Sequence, residues 1–207
     1  MYLPSHFEQH DSAALHALMR LHPLATLVTP SPDGPCADLL PLELQADDGP
    51  HGTLLGHVAR ANPLWRHAAG QPVLVIFNGP QAYVTPSAYP SKALTHKVVP
   101  TWNYSVVQAR GVLQVEHEGP ALHALVSRLT ARHEATRERP WAVSDAPDDF
   151  VKALLRAIVG IRIPLQSLVG KFKLSQNRDE ADRAGVVATL SEGDAAAQAL
   201  AASMRMP

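Results

Sequence analysis

Leu24-Ala25-Thr26-Leu27-Val28-Thr29, followed by Ser31-Pro32-Asp33-Gly34 and then by Cys36 through Leu44, reads as strand, turn and strand. Aliphatic and β-branched residues dominate both runs, and the Pro-Asp-Gly segment supplies a preset φ and a glycine free to take a positive one. An antiparallel hairpin is therefore the first element pair. Outward from it, the Asp47 to Gly52 loop feeds a third strand, Thr53 to Ala59. Val73 to Phe77 reads as a buried strand, and Tyr83 to Thr85 extends the sheet after a turn at Asn78-Gly79. Val106 to Val115 resumes the β pattern, and Val159, Ile161, Ile163 and Leu165 alternate along a last strand. Pro164 predicts an edge position or a bulge there. Cys36 reads as a small buried hydrophobe of the hairpin.

Helical spacing separates these runs. Asp11 or Ser12 caps a helix carrying Leu15, Leu18 and Met19, and Asn62-Pro63 opens a short one closed by Gly70. Leu122, Leu125, Val126 and Leu129 share one face of another helix, and Asp148 or Asp149 caps the next, through Leu154 and Leu155. From Arg178 to Met204 an Ala-rich tail predicts one or two helices punctuated by Gly185 and Gly193. The stretch from Pro86 to Tyr104 holds three prolines and no clear period, and reads as a long functional loop. The sum is α+β, with a small antiparallel barrel of six to seven strands and peripheral short helices. Residues 1–177 form the barrel domain, and 178–207 a C-terminal helical extension packed on it.

The chain of 207 residues has 18 Lys plus Arg against 19 Asp plus Glu, so its formal charge of −1 creates no overall field for nucleic acid phosphates. One cysteine cannot form an internal disulfide, and neither a leader nor a membrane-spanning run is visible; both point to a soluble cytoplasmic protein. HExxH, P-loop, GxSxG and GxGxxG motifs are absent, and the 11 histidines show no compact ligand spacing. No catalytic residue and no metal site is assigned.

Three segments gather polar side chains at strand ends, suited to a phosphorylated aromatic ligand: the run from His57 to Pro63, the run from Tyr83 to Tyr89, and the run from Lys171 to Asn177. In the first, Arg60 can grip a phosphate through its fork of donors, with His57 and Asn62 beside it; a surface ion pair is the alternative. In the second, Thr85, Ser87 and Tyr89 would point one way on a β-like backbone as a hydroxyl wall, unless Ser and Pro form a local turn. In the third, Lys173, Ser175 and Asn177 would share a face if the strand runs on, with Gln176 between them; a charged strand exit is the alternative. Trp102, Asn103 and Tyr104 suit ring stacking or an anchored partner, or plain core packing.

These same segments resemble the PaiB-type FMN-binding negative transcriptional regulators. Met1 to Phe7, HVARANP from His57, YVTPSAY from Tyr83, VPTWNY from Val99 and KFKLSQN from Lys171 match family signatures in one order across most of the chain. Ala88 stands where a bulkier aromatic is expected, which would enlarge or weaken a ligand pocket. The resemblance implies an FMN-binding split barrel and a bacterial homodimer. Its flavin would lie in a groove between subunits, with the phosphate near His57 to Asn62 and the ring near strand-end residues of both chains. It also implies a repressor role, although no basic recognition helix in a helix-turn-helix frame is visible. Three functions follow: a flavin-binding regulator, a flavin-dependent oxidoreductase of the split-barrel class, or a barrel without cofactor that serves as an interaction module.

Overall fold

The computed structural model describes residues 1–205. In chain order the elements are β1 (Glu8–Gln9), α1 (Ser12–Leu21), β2 (Leu24–Ser31), β3 (Gly34–Pro41), β4 (Glu43–Gln45), β5 (Thr53–Ala59), α2 (Leu64–Ala68) and β6 (Pro72–Val84). Then come α3 (Lys92–Thr95), β7 (Thr101–Val112), β8 (Gln114–Glu116), α4 (Gly119–Glu134), α5 (Asp148–Arg156), β9 (Ile158–Lys173), α6 (Glu180–Ser191) and α7 (Ala195–Arg205). Hydrogen-bonded neighbours follow the order β3-β2-β6-β7-β9-β5-β4, with β1 and β8 each paired to β9, giving nine antiparallel strands rather than six or seven. β1, two residues long, is too short to show a period; the expected Cys36–Leu44 run divides into β3 and β4 and the Val106–Val115 run into β7 and β8, while Val73–Phe77 and Tyr83–Thr85 join in β6. Among the described residues, no helix is long and apolar enough to cross a membrane.

Two compact units share this chain, and β6, β7 and β9 contribute residues to both. The first comprises Met1–Leu21, Asn78–Val107 and the chain from Val169 on; the second comprises His22–Phe77 and Gln108–Leu168.

In the second unit, β2 and β3 pair from Leu24↔Pro41 to Ser31↔Gly34, as the turn chemistry requires. Gly34 takes φ +107°, and the Ser31 hydroxyl donates to its carbonyl at 2.6 Å. The predicted second strand stops at Pro41, because the Leu42 amide donates to the Pro23 carbonyl at 2.8 Å instead of to a strand partner. Cys36 is exposed, not buried, since β3 ends the strand order and presents most of its length to solvent. On β9, Val159, Ile161, Ile163 and Leu165 are all buried, as their alternation predicts. Pro164, however, lies on a strand flanked by β7 and β5. Its partner Thr53 is the first residue of β5, so its missing amide falls at the final rung of that ladder.

In the first unit, the Asp11 carboxylate caps α1, accepting from the Ala13 and Ala14 amides at 3.0 and 3.2 Å. Asn78-Gly79 makes no turn: β6 runs through it. Gly79 serves close packing instead, since a Cβ there would stand 2.9 Å from Leu18 Cδ1 and 3.2 Å from the Ser105 carbonyl. The stretch expected to be a loop contains a 3₁₀ turn at Pro86–Ala88, α3, and the start of β7 at Thr101. α6 and α7 bury Val186, Leu190, Ala197, Leu200, Ala201 and Met204 in one cluster with Ala82, Val84, Ala88 and Tyr89. Gly185 does not break α6; Gly193 separates it from α7. Ala88 belongs to this core and is 4% exposed, so its small size opens no ligand pocket.

Candidate functional site

In the second unit the chain leaves β5 through a tight turn. The Asn62 amide donates to the Ala59 carbonyl at 2.9 Å, and the Asn62 Oδ1 accepts from the Leu64 amide at 2.9 Å, starting α2. Its Nδ2 donates to Asp38 Oδ1 on β3 at 3.1 Å. Trp65 fixes the turn by donating its indole N–H to the Arg60 carbonyl at 3.0 Å. Among the described residues Arg60 forms no ion pair. Its Nε donates to the Arg156 carbonyl at 2.7 Å and its Nη2 to the Ile158 carbonyl at 2.8 Å, which satisfies carbonyls at the end of α5 and the start of β9.

The outer side of Arg60 borders a cleft of about 640 Å³ in this unit. Arg60, His117, His123, Lys152 and Arg156 line it, Leu122 and Leu155 give it an apolar floor, and no carboxylate faces in. His57 stands on β5 opposite Gly160, and its Nδ1 is buried without a hydrogen-bond partner. Burial pushes its pKa below the ordinary imidazole value, so the ring is held neutral.

In the first unit, the other nominated residues meet in two places. Lys173, at the end of β9, donates to Thr101 Oγ1 at 2.6 Å, to the Trp102 carbonyl, and to Asn103 Oδ1 at 3.4 Å. Asn103 is 1% exposed and donates through Nδ2 to Ser175 Oγ at 2.8 Å. Burial lowers the Lys173 pKa, and repulsion from Lys171 and Arg178 adds to the effect. The expected shared face of Lys173, Ser175 and Asn177 does not form, because β9 ends at Lys173 and Ser175 adopts φ +64°. Gln176 is spent locally, accepting from the Leu174 amide at 2.7 Å and donating to the Phe172 carbonyl, while Asn177 is exposed. This group is a clamp between the end of β9 and the start of β7, and all three ammonium donors of Lys173 are engaged within it.

The hydroxyl wall is also replaced by local bonding. Thr85 caps the 3₁₀ turn by accepting from the Ser87 amide at 3.3 Å, Ser87 accepts from Lys92 Nζ at 3.0 Å, and Tyr89 is buried beneath the Arg178 guanidinium at 4.9 Å. Burial raises the Tyr89 pKa. Trp102, in contrast, is 53% exposed and meets the 51% exposed Tyr83 edge to face at 6.4 Å. The two rings border a groove of about 620 Å³ floored by Ala82, Leu190 and Ala197. Among the described residues, no group of three His, Cys, Asp or Glu could hold a metal ion.

Several contributors had no linear signal. Lys152 and Arg156 lie at i and i+4 on α5, and nothing in the spacing ties them to Arg60, more than ninety residues earlier. Asp38 is likewise identified by the Asn62 contact alone, whereas Tyr83 opens the nominated Tyr83 to Tyr89 run and its pairing with Trp102 is what the fold adds.

Residues 1–167 match the family model described as "Putative FMN-binding domain". A protein of Aspergillus fumigatus without an assigned role is 37% identical over 90% of this chain and 89% of its own. The "Protease synthase and sporulation protein PAI 2" of Bacillus subtilis is 31% identical over 92% of this chain and 89% of its own. In fold, the chain is similar to the FAD and heme binding protein of Mycobacterium smegmatis, with TM-score 0.60 and 17% identity over 86% of this chain and 78% of that one.

Proposed function

The chain belongs to the FMN-binding domain family matched over residues 1–167, and on that premise we propose that it is a flavin-responsive regulatory protein that binds FMN as a homodimer. FMN presents a phosphate dianion and a flat ring. The Arg60 cleft offers cations and, among the described residues, no carboxylate in its lining, which suits the phosphate. The carboxylate-free lining around Arg60 is the observation that carries the proposal. Bound FMN supplies reversible redox chemistry. This chain's residues around Arg60 supply the phosphate grip.

The homodimer is supported by β3, a terminal strand whose Pro35, Cys36, Ala37 and Leu39 are exposed. An apolar strand edge with open backbone groups is the kind of surface that a second copy covers. The regulatory role rests on the resemblance to the PaiB-type family and on the similarity to the sporulation protein of Bacillus subtilis. The formal charge of −1 favours an output through protein contacts in the cytoplasm rather than through broad DNA binding.

Fluorescence titration with FMN and riboflavin tests the phosphate grip. FMN should bind about tenfold or more tightly, because only FMN gives the cleft charge-assisted hydrogen bonds. Arg60→Ala also uncaps α5, so riboflavin affinity is its control: the variant should lose FMN affinity and keep that for riboflavin. Equal affinity of the native protein for the two flavins would refute the phosphate assignment.

A further inference from the structure

The cleft beside Arg60 is larger and more cationic than one arginine accounts for. Lys152 and Arg156 project from one face of α5, both exposed, and neither lies within ion-pair distance of a carboxylate among the described residues. His117 and His123 stand opposite, one before α4 and one in its second turn. Arg60 itself is held from behind by the Arg156 and Ile158 carbonyls, so its guanidinium is fixed at the cleft wall rather than free to sweep the surface. The Glu118 amide at the start of the sixteen-residue α4 is taken by the Glu116 carboxylate at 2.7 Å, so the positive lining of the cleft comes from its side chains, and the space beside the Gly119 Cα is open to 4 Å. Leu122 and Leu155 floor the cleft, so the occupant has an apolar portion next to its charge.

The geometry assigns to this cleft a phosphate monoester, bound by Lys152 and Arg156 together with Arg60, with α4 closing the far side. This inference shares Arg60 with the flavin proposal but does not require flavin: the phosphate could be that of FMN or that of a separate phosphorylated small molecule. Cations gathered without acids repel one another in the empty cleft, and a dianion removes that repulsion as it binds.

The test is calorimetric titration of the full-length protein with inorganic phosphate, at fixed ionic strength, in flavin-free and FMN-saturated samples. Saturable binding is expected in the flavin-free protein and should weaken as salt is raised. The double variant Lys152→Gln, Arg156→Gln should lower phosphate affinity at least tenfold without lowering the thermal midpoint, because both side chains are exposed and their mutual repulsion is relieved. If FMN abolishes phosphate binding, the phosphate is the flavin's own; if binding persists with FMN present, the ligand is a separate phosphate monoester. Absence of saturable phosphate binding in the flavin-free protein, or equal affinity in the double variant, would overturn the assignment. Failure of the flavin proposal looks different: phosphate binds and depends on Lys152 and Arg156, yet FMN is not taken up.

Discussion

His57 shows how a nominated ligand residue can also govern stability. Its imidazole is half-buried with Nδ1 enclosed and unpartnered, and burial lowers its pKa from the ordinary 6.5. As pH falls below that ordinary value, the unfolded chain takes up a proton that the folded chain resists. The unfolded state then binds more protons, and stability falls with falling pH. His22 is shifted the same way by burial and adds to the slope. Urea midpoints measured at about pH 7.5 and about pH 5.5 should therefore drop more for the native protein than for His57→Gln; identical drops would show that His57 is not the titrating group. At this scale the sequence was informative about residue type and silent about donor use. Lys173 and Arg60 are cations at strand ends, as expected. Which oxygens consume their N–H groups depends on Thr101, Trp102 and Asn103 for one and on the end of α5 for the other. Those neighbours are remote in sequence, and no local pattern encodes them.

Among elements, periodicity was legible where a strand has one buried face and failed where tertiary contacts override turn chemistry. β5 spans Thr53–Ala59 as its pattern indicates, and the alternation on β9 matches its buried face. Asn78-Gly79 looks like a turn but stays extended because Leu18 and Ser105 crowd the glycine. The 3₁₀ turn at Pro86–Ala88 is the local-turn alternative that the alternating hydroxyls left open, since Thr85 caps a turn as readily as it lines a strand. Gly185 resembles a helix break but lies inside α6, where a Cβ would come within 2.3 Å of the Ala88 carbonyl. The glycine lets α6 approach the 3₁₀ turn. Gly185→Ala should accordingly cost about 1–3 kcal/mol despite the higher helix propensity of alanine. Chemical denaturation measures this, and a variant more stable than the native protein would mean that the close approach is not required. Asp182 on α6 holds the same neighbourhood, accepting from the Ser91 amide at 3.0 Å and its hydroxyl at 2.7 Å while 3% exposed.

For the molecule as a whole, five ordered motifs carried the family and the split-barrel fold, while charge balance and absent enzyme motifs narrowed the function. The candidate site was only partly legible: Arg60, Asn62, Tyr83 and Trp102 lie beside the cleft, turn and groove, but Lys152 and Arg156 became visible only through the fold. The relatives include proteins of fungi as well as of Bacillus subtilis, so the family is not confined to bacteria. What unites the proposals is a homodimer that holds FMN by its phosphate. Sedimentation equilibrium of the FMN-loaded protein, followed through the visible absorbance of the flavin, tests that claim most directly. The flavin should sediment with a species of twice the 22.3 kDa chain mass. Flavin that sediments with the single chain, or that stays free while the protein sediments without it, would contradict the account.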